Sequence, residues 1–277
     1  MGLEQLHLEG MNKVEFSIKL IQSVAGNEPL YLADSGGKDS RALRLLARLA
    51  EIPFQAYYHT NPLDPPELPR FLREYYPDTI FDRAPMPFWK AFAQKGYPLR
   101  SKRWCCEYIK EWGGAGRTVL LGLRSEESTK RKTRCFISWN EKGRTRFDNK
   151  TTKNLVCPIL LWTQKDVWAF LEKYQEPYCE LYDEGASGKY KGDGDIQRLG
   201  CVMCPWETDA ERLAEYHRYP KIANLWYLAF KRLWQDGRRK DPDVFKKQYP
   251  TPDDMFWYWM APKAKSTKQI SIRMEGL

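Results

Sequence analysis

The chain has 277 residues, 42% of them hydrophobic, enough for one large domain or a domain with a substantial appendage built on a real core. Forty-five Lys and Arg against 36 Asp and Glu give a net charge of +9, which favours anionic partners such as nucleotides or nucleic acid. No stretch reaches the roughly 18–20 apolar residues of a membrane span, and Met1 to Gly10 lacks a basic segment followed by an apolar run, so a cytoplasmic protein with no membrane partner is expected.

Residues 1–27 read as a helical lead-in. Pro29 to Ala33 is the first expected strand. It stops at Asp34, turns through Ser35, Gly36 and Gly37, and continues past Lys38 and Asp39 into a helix from Ser40 to Ala50. A strand, a glycine turn and a helix start suit phosphate: glycines let the backbone approach a ligand, and the helix offers its positive end. Walker-type loops need four residues between the first glycine and the Gly-Lys-Ser/Thr unit, and this segment does not have that spacing. Phe54 to His59 follows closely enough to be the next parallel strand of a βαβ unit. Asp64 and Glu67 lie on the proline-stiffened loop beyond it, where a carboxylate can hold magnesium or a ribose hydroxyl, or cap a helix. Thr118 to Leu123 and Asn154 to Leu160 are further strands, and Thr163 caps a helix through Leu171. Beyond about residue 205 the pattern is helical, with Tyr216, Tyr219, Trp226, Tyr227, Phe230 and Trp234 among Lys and Arg. Such rings stack bases or pack helices together.

Seven cysteines without an export signal argue against a disulfide framework and toward metal or thiol chemistry. Four of them form two tight pairs, Cys105-Cys106 and Cys201-x-x-Cys204. Thiolates suit zinc or an iron–sulfur cluster. Adjacent side chains are hard to aim at one small ion, whereas a cubane offers separate irons. Cys135 sits among Arg131, Lys132 and Arg134, a cationic setting that favours a thiolate sulfur carrier; Cys157 reads as core.

Ser-Gly-Gly-Lys-Asp-Ser (35–40) resembles the pyrophosphate loop of the ATP pyrophosphatase (PP-loop, adenine nucleotide alpha hydrolase-like) superfamily. The two cysteine pairs resemble the cluster-binding pattern of the phosphoadenylyl-sulfate (PAPS) reductase family. Gly122, Arg124, Glu127, Ser128 and Arg131 match that family's Gly-x-Arg-x-x-Glu-Ser-x-x-Arg substrate motif. The motifs run in the family's order from about residue 30 to 205. The resemblance implies an α/β fold with a Rossmann-like (HUP-type) parallel sheet, helices on both faces and a helical C-terminal region. It implies a nucleotide domain over 28–204 and a basic, aromatic region over 205–277. It further implies ATP held by Ser35, Gly36, Gly37, Lys38, Asp39, Ser40, Gly122, Arg124, Glu127 and Ser128, with Lys38, Asp39, Arg124 and Arg131 acting in catalysis beside Mg2+. A 4Fe-4S cluster would sit on Cys105, Cys106, Cys201 and Cys204.

The reductases carry a catalytic cysteine in a C-terminal tail motif, and no cysteine follows Cys204 here. Their loop also tends to be degraded, since their substrate has no β-phosphate to cleave. The intact loop points instead to an ATP pyrophosphatase that activates an acceptor for sulfur transfer, similar to the cluster-containing DNA phosphorothioation and tRNA thiolation enzymes. Nucleic acid would be the acceptor, and a cysteine desulfurase or another sulfur donor a partner. Sulfite formation from a sulfonucleotide, and nucleotide or nucleic-acid binding without catalysis, are the alternatives.

Overall fold

The computed structural model describes residues 11–142, 151–183, 199–240, 243 and 247–260. The chain forms two compact units. One takes residues up to Asn61 with Pro66–Pro85 and Cys106–Leu199; the other takes Pro62–Pro65, Met86–Cys105 and the chain from Gly200 on.

The first unit opens with helix α1 (Lys13–Ser23), whose cap Asn12 accepts the Glu15 N–H at 2.9 Å while the Glu15 carboxylate accepts the Asn12 N–H at 3.2 Å. Strand β1 (Leu30–Ala33), helix α2 (Lys38–Leu49), strand β2 (Phe54–Thr60), helix α3 (Glu67–Tyr75) and strand β3 (Ile80–Arg83) follow. Beyond them come β4 (Thr118–Leu120), a short helical turn Thr129–Lys132, β5 (Ile137–Lys142), β6 (Thr152–Val156) and a helix at Gln164–Lys173. The strands form one sheet in the order β3-β2-β1-β4-β6-β5, parallel except for β5 against β6. This is the expected α/β sheet. The chain runs from β1 outward to β3, then returns to place β4 on the other side of β1, so the loops after β1 and β4 flank the switch point where open sheets bind ligands.

Leu30, Leu32, Ala56, Leu120 and Val156 bury one sheet face against Ala42, Leu43, Leu46, Val167 and Phe170. The alternation of β1 sends Tyr31 to the opposite face. There its ring stacks on Tyr57 at 4.1 Å, and its hydroxyl meets His59 Nε2 at 2.8 Å. His59 stacks on Trp112 at 4.6 Å, and burial pushes its pKa down to about 4. Lys153 Nζ donates to the carbonyls of Glu111 (3.1 Å) and Gly113 (2.8 Å), fixing the turn that covers this face. At Gly114, φ is +68° and a Cβ would lie 2.5 Å from the Val119 side chain, so glycine is required for contact.

In the second unit α4 (Phe88–Lys95), α8 (Asp209–Arg218), α9 (Pro220–Lys240) and a last helix, here α10 (Pro252–Met260), enclose a core of rings. A further short helix, Trp104–Ile109, begins in this unit and ends in the first; with it numbered α5, Thr129–Lys132 is α6 and Gln164–Lys173 is α7. Phe88, Phe92, Trp226, Phe230, Phe256 and Trp259 pack edge-on or tilted, with Trp259 Nε1 donating to Pro98 O at 2.8 Å.

Two expected strands are shorter than their apolar runs. β4 ends at Leu120, and β6 stops at Val156, because Cys157–Leu160 closes a turn through the Leu160 N–H to Cys157 O bond at 3.2 Å. The helix expected over 40–50 starts earlier, at Lys38. Residues 1–10 of the lead-in and 261–277 of the C-terminal region lie outside the described residues. No helix among the described residues is long and apolar enough to cross a membrane.

Candidate nucleotide site

The β1–α2 loop is held from beneath. Asp34, at the end of β1, accepts the Gly36 N–H at 2.9 Å and pairs with two buried arginines of α2, Arg41 and Arg44. Arg41 also lies over the Tyr76 ring at 4.1 Å, which gives a fully buried guanidinium a second favourable contact. Gly36 has φ +73° and a hypothetical Cβ 2.8 Å from Leu68, so no other residue fits there without strain. Ser40 Oγ donates to Gly37 O at 2.8 Å and lies 3.3 Å from Ser35 Oγ, while Gly37 N–H points to Ser35 Oγ at 3.4 Å. The Lys38 N–H donates to the buried Tyr182 hydroxyl at 3.0 Å.

The segment after β4 closes on this loop. A side chain at Gly122 would be crowded: a Cβ would come within 3.1 Å of the Asp39 backbone and 3.3 Å of Ser40 N, so that backbone would have to give. Two residues on, Arg124 Nε donates to Asp39 Oδ1 at 2.6 Å, and Lys38 Nζ donates to Asp39 Oδ2 at 3.0 Å, so one carboxylate bridges two cations. Arg124 also pairs with Glu126, and Arg131 with Glu127. Ser128 caps α6 with its backbone, its carbonyl accepting the Arg131 N–H at 2.9 Å.

Lys38 and Arg124 are both 0% exposed. Desolvation lowers the Lys38 pKa against the opposing pull of Asp39. Arg124 Nη2 has no hydrogen-bond partner among the described residues, a buried donor that an anionic oxygen would satisfy. The structure thus gathers Ser35, Gly36, Gly37, Lys38, Asp39, Ser40, Gly122, Arg124 and Glu127 around the start of α2, with Arg131 tied to Glu127. Reading the sequence missed Asp34, Tyr182 and Glu126. A carboxylate at the end of an apolar strand followed by Arg at two positions of the next helix was a usable sign for Asp34; nothing local marks Tyr182.

The cysteine pairs occupy half-buried positions. Cys105 and Cys106 stand in the first turn of α5, and Cys201 and Cys204 flank a turn in which Met203 takes φ +60° and the Val202 N–H donates to Leu63 O at 2.7 Å. Arg103, two residues before Cys105, lies 4.7 Å over the ring of Trp206, two residues after Cys204, so the two cysteine-bearing segments run alongside each other. Among the described residues no three His, Cys, Asp or Glu gather closely enough for a single metal ion. Thiol side chains are donors of the kind an iron–sulfur cluster takes. Cys135 is exposed, and Cys157 is core, its thiol pushed up to about 11 by burial.

The family model for the phosphoadenosine phosphosulfate reductase domain matches residues 29–207. The chain belongs to that family. It is 27% identical over 256 residues to an uncharacterized protein of Methanocaldococcus jannaschii, covering 88% of this chain and 55% of that one. A second M. jannaschii relative is spanned for 41% of its length, so the chain covers about half of these proteins. An adenosine 5'-phosphosulfate reductase of Lysinibacillus sphaericus is 26% identical over 198 residues, 65% of this chain and 74% of the relative. A probable FAD synthase of Caenorhabditis briggsae is 26% identical over 66% of this chain and 34% of its own. Among solved structures, PAPS reductase of Candida auris in a phosphate complex aligns with TM-score 0.45 and 16% identity, covering 66% of this chain and 90% of that one. FMN adenylyltransferase of Candida glabrata with FAD and pyrophosphate gives TM-score 0.45 and 18% identity over 72% and 68%.

Proposed function

We propose that this chain binds ATP at the β1–α2 loop, cleaves it between the α and β phosphates, and uses the adenylate to activate a nucleic-acid oxygen for displacement by sulfur. The observation that carries this reading is the pair of buried cations, Lys38 and Arg124, bridged by Asp39 where α2 begins. Breaking the α–β bond moves negative charge onto departing pyrophosphate. Fixed cations and a helix N-terminus in a desolvated setting stabilise that charge without reorganising. In the present network Lys38, Arg124 and Arg131 are matched by Asp39, Glu126 and Glu127, so a polyphosphate is best received with a counter-ion. Asp39 is the residue that would hold magnesium, which supplies further charge neutralisation when bound. Cys105, Cys106, Cys201 and Cys204 would hold a 4Fe-4S cluster, which supplies sulfur-ligated iron to the acceptor side, and a desulfurase or other sulfur donor would be the partner. The helical region over 205–277 belongs to that acceptor side.

A sulfonucleotide reductase is the second reading, favoured by the relative named adenosine 5'-phosphosulfate reductase and by the guanidinium of Arg124, whose fork suits sulfate as well as phosphate. One assay separates the two. Anaerobically purified protein is incubated with magnesium, a dithiol as two-electron donor, and either ATP or PAPS, with Lys38→Ala in parallel. AMP and pyrophosphate from ATP, lost in the variant, are expected; sulfite from PAPS with ATP untouched overturns the first reading in favour of the second.

A further inference from the structure

Among the described residues Trp206 is one of the large rings left to solvent, 51% exposed just ahead of α8. Its surroundings are cationic. Arg103 Cζ lies 4.7 Å and Arg100 Cζ 5.9 Å from the ring centre, and Arg100 Nη2 donates to the Trp206 carbonyl at 2.9 Å. Both arginines belong to an unbroken exposed run, Leu99 to Arg103, that also contains Lys102. The run is a built loop, closed by the Leu99 N–H to Lys102 O bond at 3.3 Å and the Lys102 N–H to Leu99 O bond at 3.1 Å. On the other side Thr208 caps α8, its hydroxyl accepting the Glu211 N–H at 3.2 Å. The indole is therefore held between two ordered segments of one unit.

An indole kept half in water beside two guanidiniums has a specific chemistry: a flat π-face for a base and planar forks for phosphate oxygens. Duplex DNA hides its base faces; a single strand offers them. We propose that Trp206, Arg100 and Arg103 form a stacking platform for single-stranded nucleic acid, with one base on the indole and the two arginines on flanking phosphates. This rests on the nucleic-acid acceptor of the proposed function and assigns its docking point. Charge complementarity supports the occupant, since the chain carries +9 overall and three cationic side chains lie within this five-residue run. The tryptophan that stacks follows Cys204 by two residues and the arginine precedes Cys105 by two, so a strand held here passes both cysteine-bearing segments.

The test is fluorescence anisotropy of the full chain with a labelled 12-nucleotide DNA strand, the same sequence as RNA, and the DNA duplex, across a salt series. Both single strands are expected to bind more tightly than the duplex, and the preferred sugar identifies the acceptor as RNA or DNA. Trp206→Ala weakens single-strand binding about tenfold, while Trp206→Phe, which keeps a π-face, recovers most of it. Arg100→Ala with Arg103→Ala lowers the slope of log affinity against log salt by about 1.4, the value for two phosphate contacts on a single strand. Unchanged affinity in Trp206→Ala with unchanged slope in the double variant overturns the platform and leaves the acceptor reading standing. A wild-type chain that binds neither strand overturns both, and AMP formation from ATP in the same preparation reports on the adenylating chemistry separately.

Discussion

The two units solve the same burial problem with different side chains. The first fills its core with Leu, Ile, Val and Ala between sheet and helices, and the second with interlocking Phe and Trp rings. The difference corrects a natural inference about nucleic acid. In the aromatic C-terminal stretch, Trp226 and Phe230 are fully buried, Tyr216 and Tyr219 are nearly so, and Tyr227 and Trp234 are half-buried. Aromatic density there reports packing. Trp206, at the start of that stretch, is instead 51% exposed beside Arg100 and Arg103, and its environment rather than its neighbourhood in sequence distinguishes it.

Truncating a ring should expose the contrast most strongly. Trp226→Ala is expected to destabilise by about 3–5 kcal/mol in urea unfolding, against about 2–5 kcal/mol for Leu32→Ala. If Trp226→Ala left stability unchanged, the ring core would not be what holds the second unit together. Next in size, Lys38→Ala should reduce ATP cleavage by about 10²–10³-fold with little change in the unfolding midpoint, since Lys38 serves the site rather than the aliphatic core.

The opposite face of the first unit's sheet adds a pH term that the ring core lacks. His59 titrates near 4 in the folded protein and near 6.5 unfolded, so both states hold it neutral above about pH 6.5 and stability there is complete. As pH falls below that value the unfolded chain binds the proton first. About 3 kcal/mol should be lost by pH 4, and His59→Gln should remove that portion of the pH dependence in urea titrations. Smallest is Gly122→Ala. The added methyl meets the Asp39 backbone at 3.1 Å, and a penalty of about 1–2 kcal/mol is expected, with nucleotide cleavage falling more than stability because the backbone displaced is that of the bridging carboxylate.

Much of the first unit was legible because its signals are local. The run Leu30 to Ala33, the paired glycines and the capped helices each announce an element within a few residues, and the Gly122–Arg131 motif could be laid beside the loop through resemblance. What escaped depends on distant partners. β3 has four residues, two of them Asp82 and Arg83, and is a strand through pairing with Tyr57 to Thr60; β5 carries Asn140 and Glu141 and is an edge strand through β6. Neither shows a clear period of two. Asp34 looked like the end of a strand, whereas it is the anchor of a buried ion network, and Tyr182 had no sign at all.

That tyrosine also sets an order of events at the ribosome. The glycine loop is synthesised before its partner, since the hydroxyl that accepts the Lys38 N–H lies 144 positions later in the chain. At about 5–20 residues per second, roughly 7–30 s separate the two, so β1, α2 and β2 can be in place while the loop between them still lacks its final restraint. Nascent chains halted before residue 182 are accordingly expected to protect α2 from hydrogen exchange while leaving its first amide open.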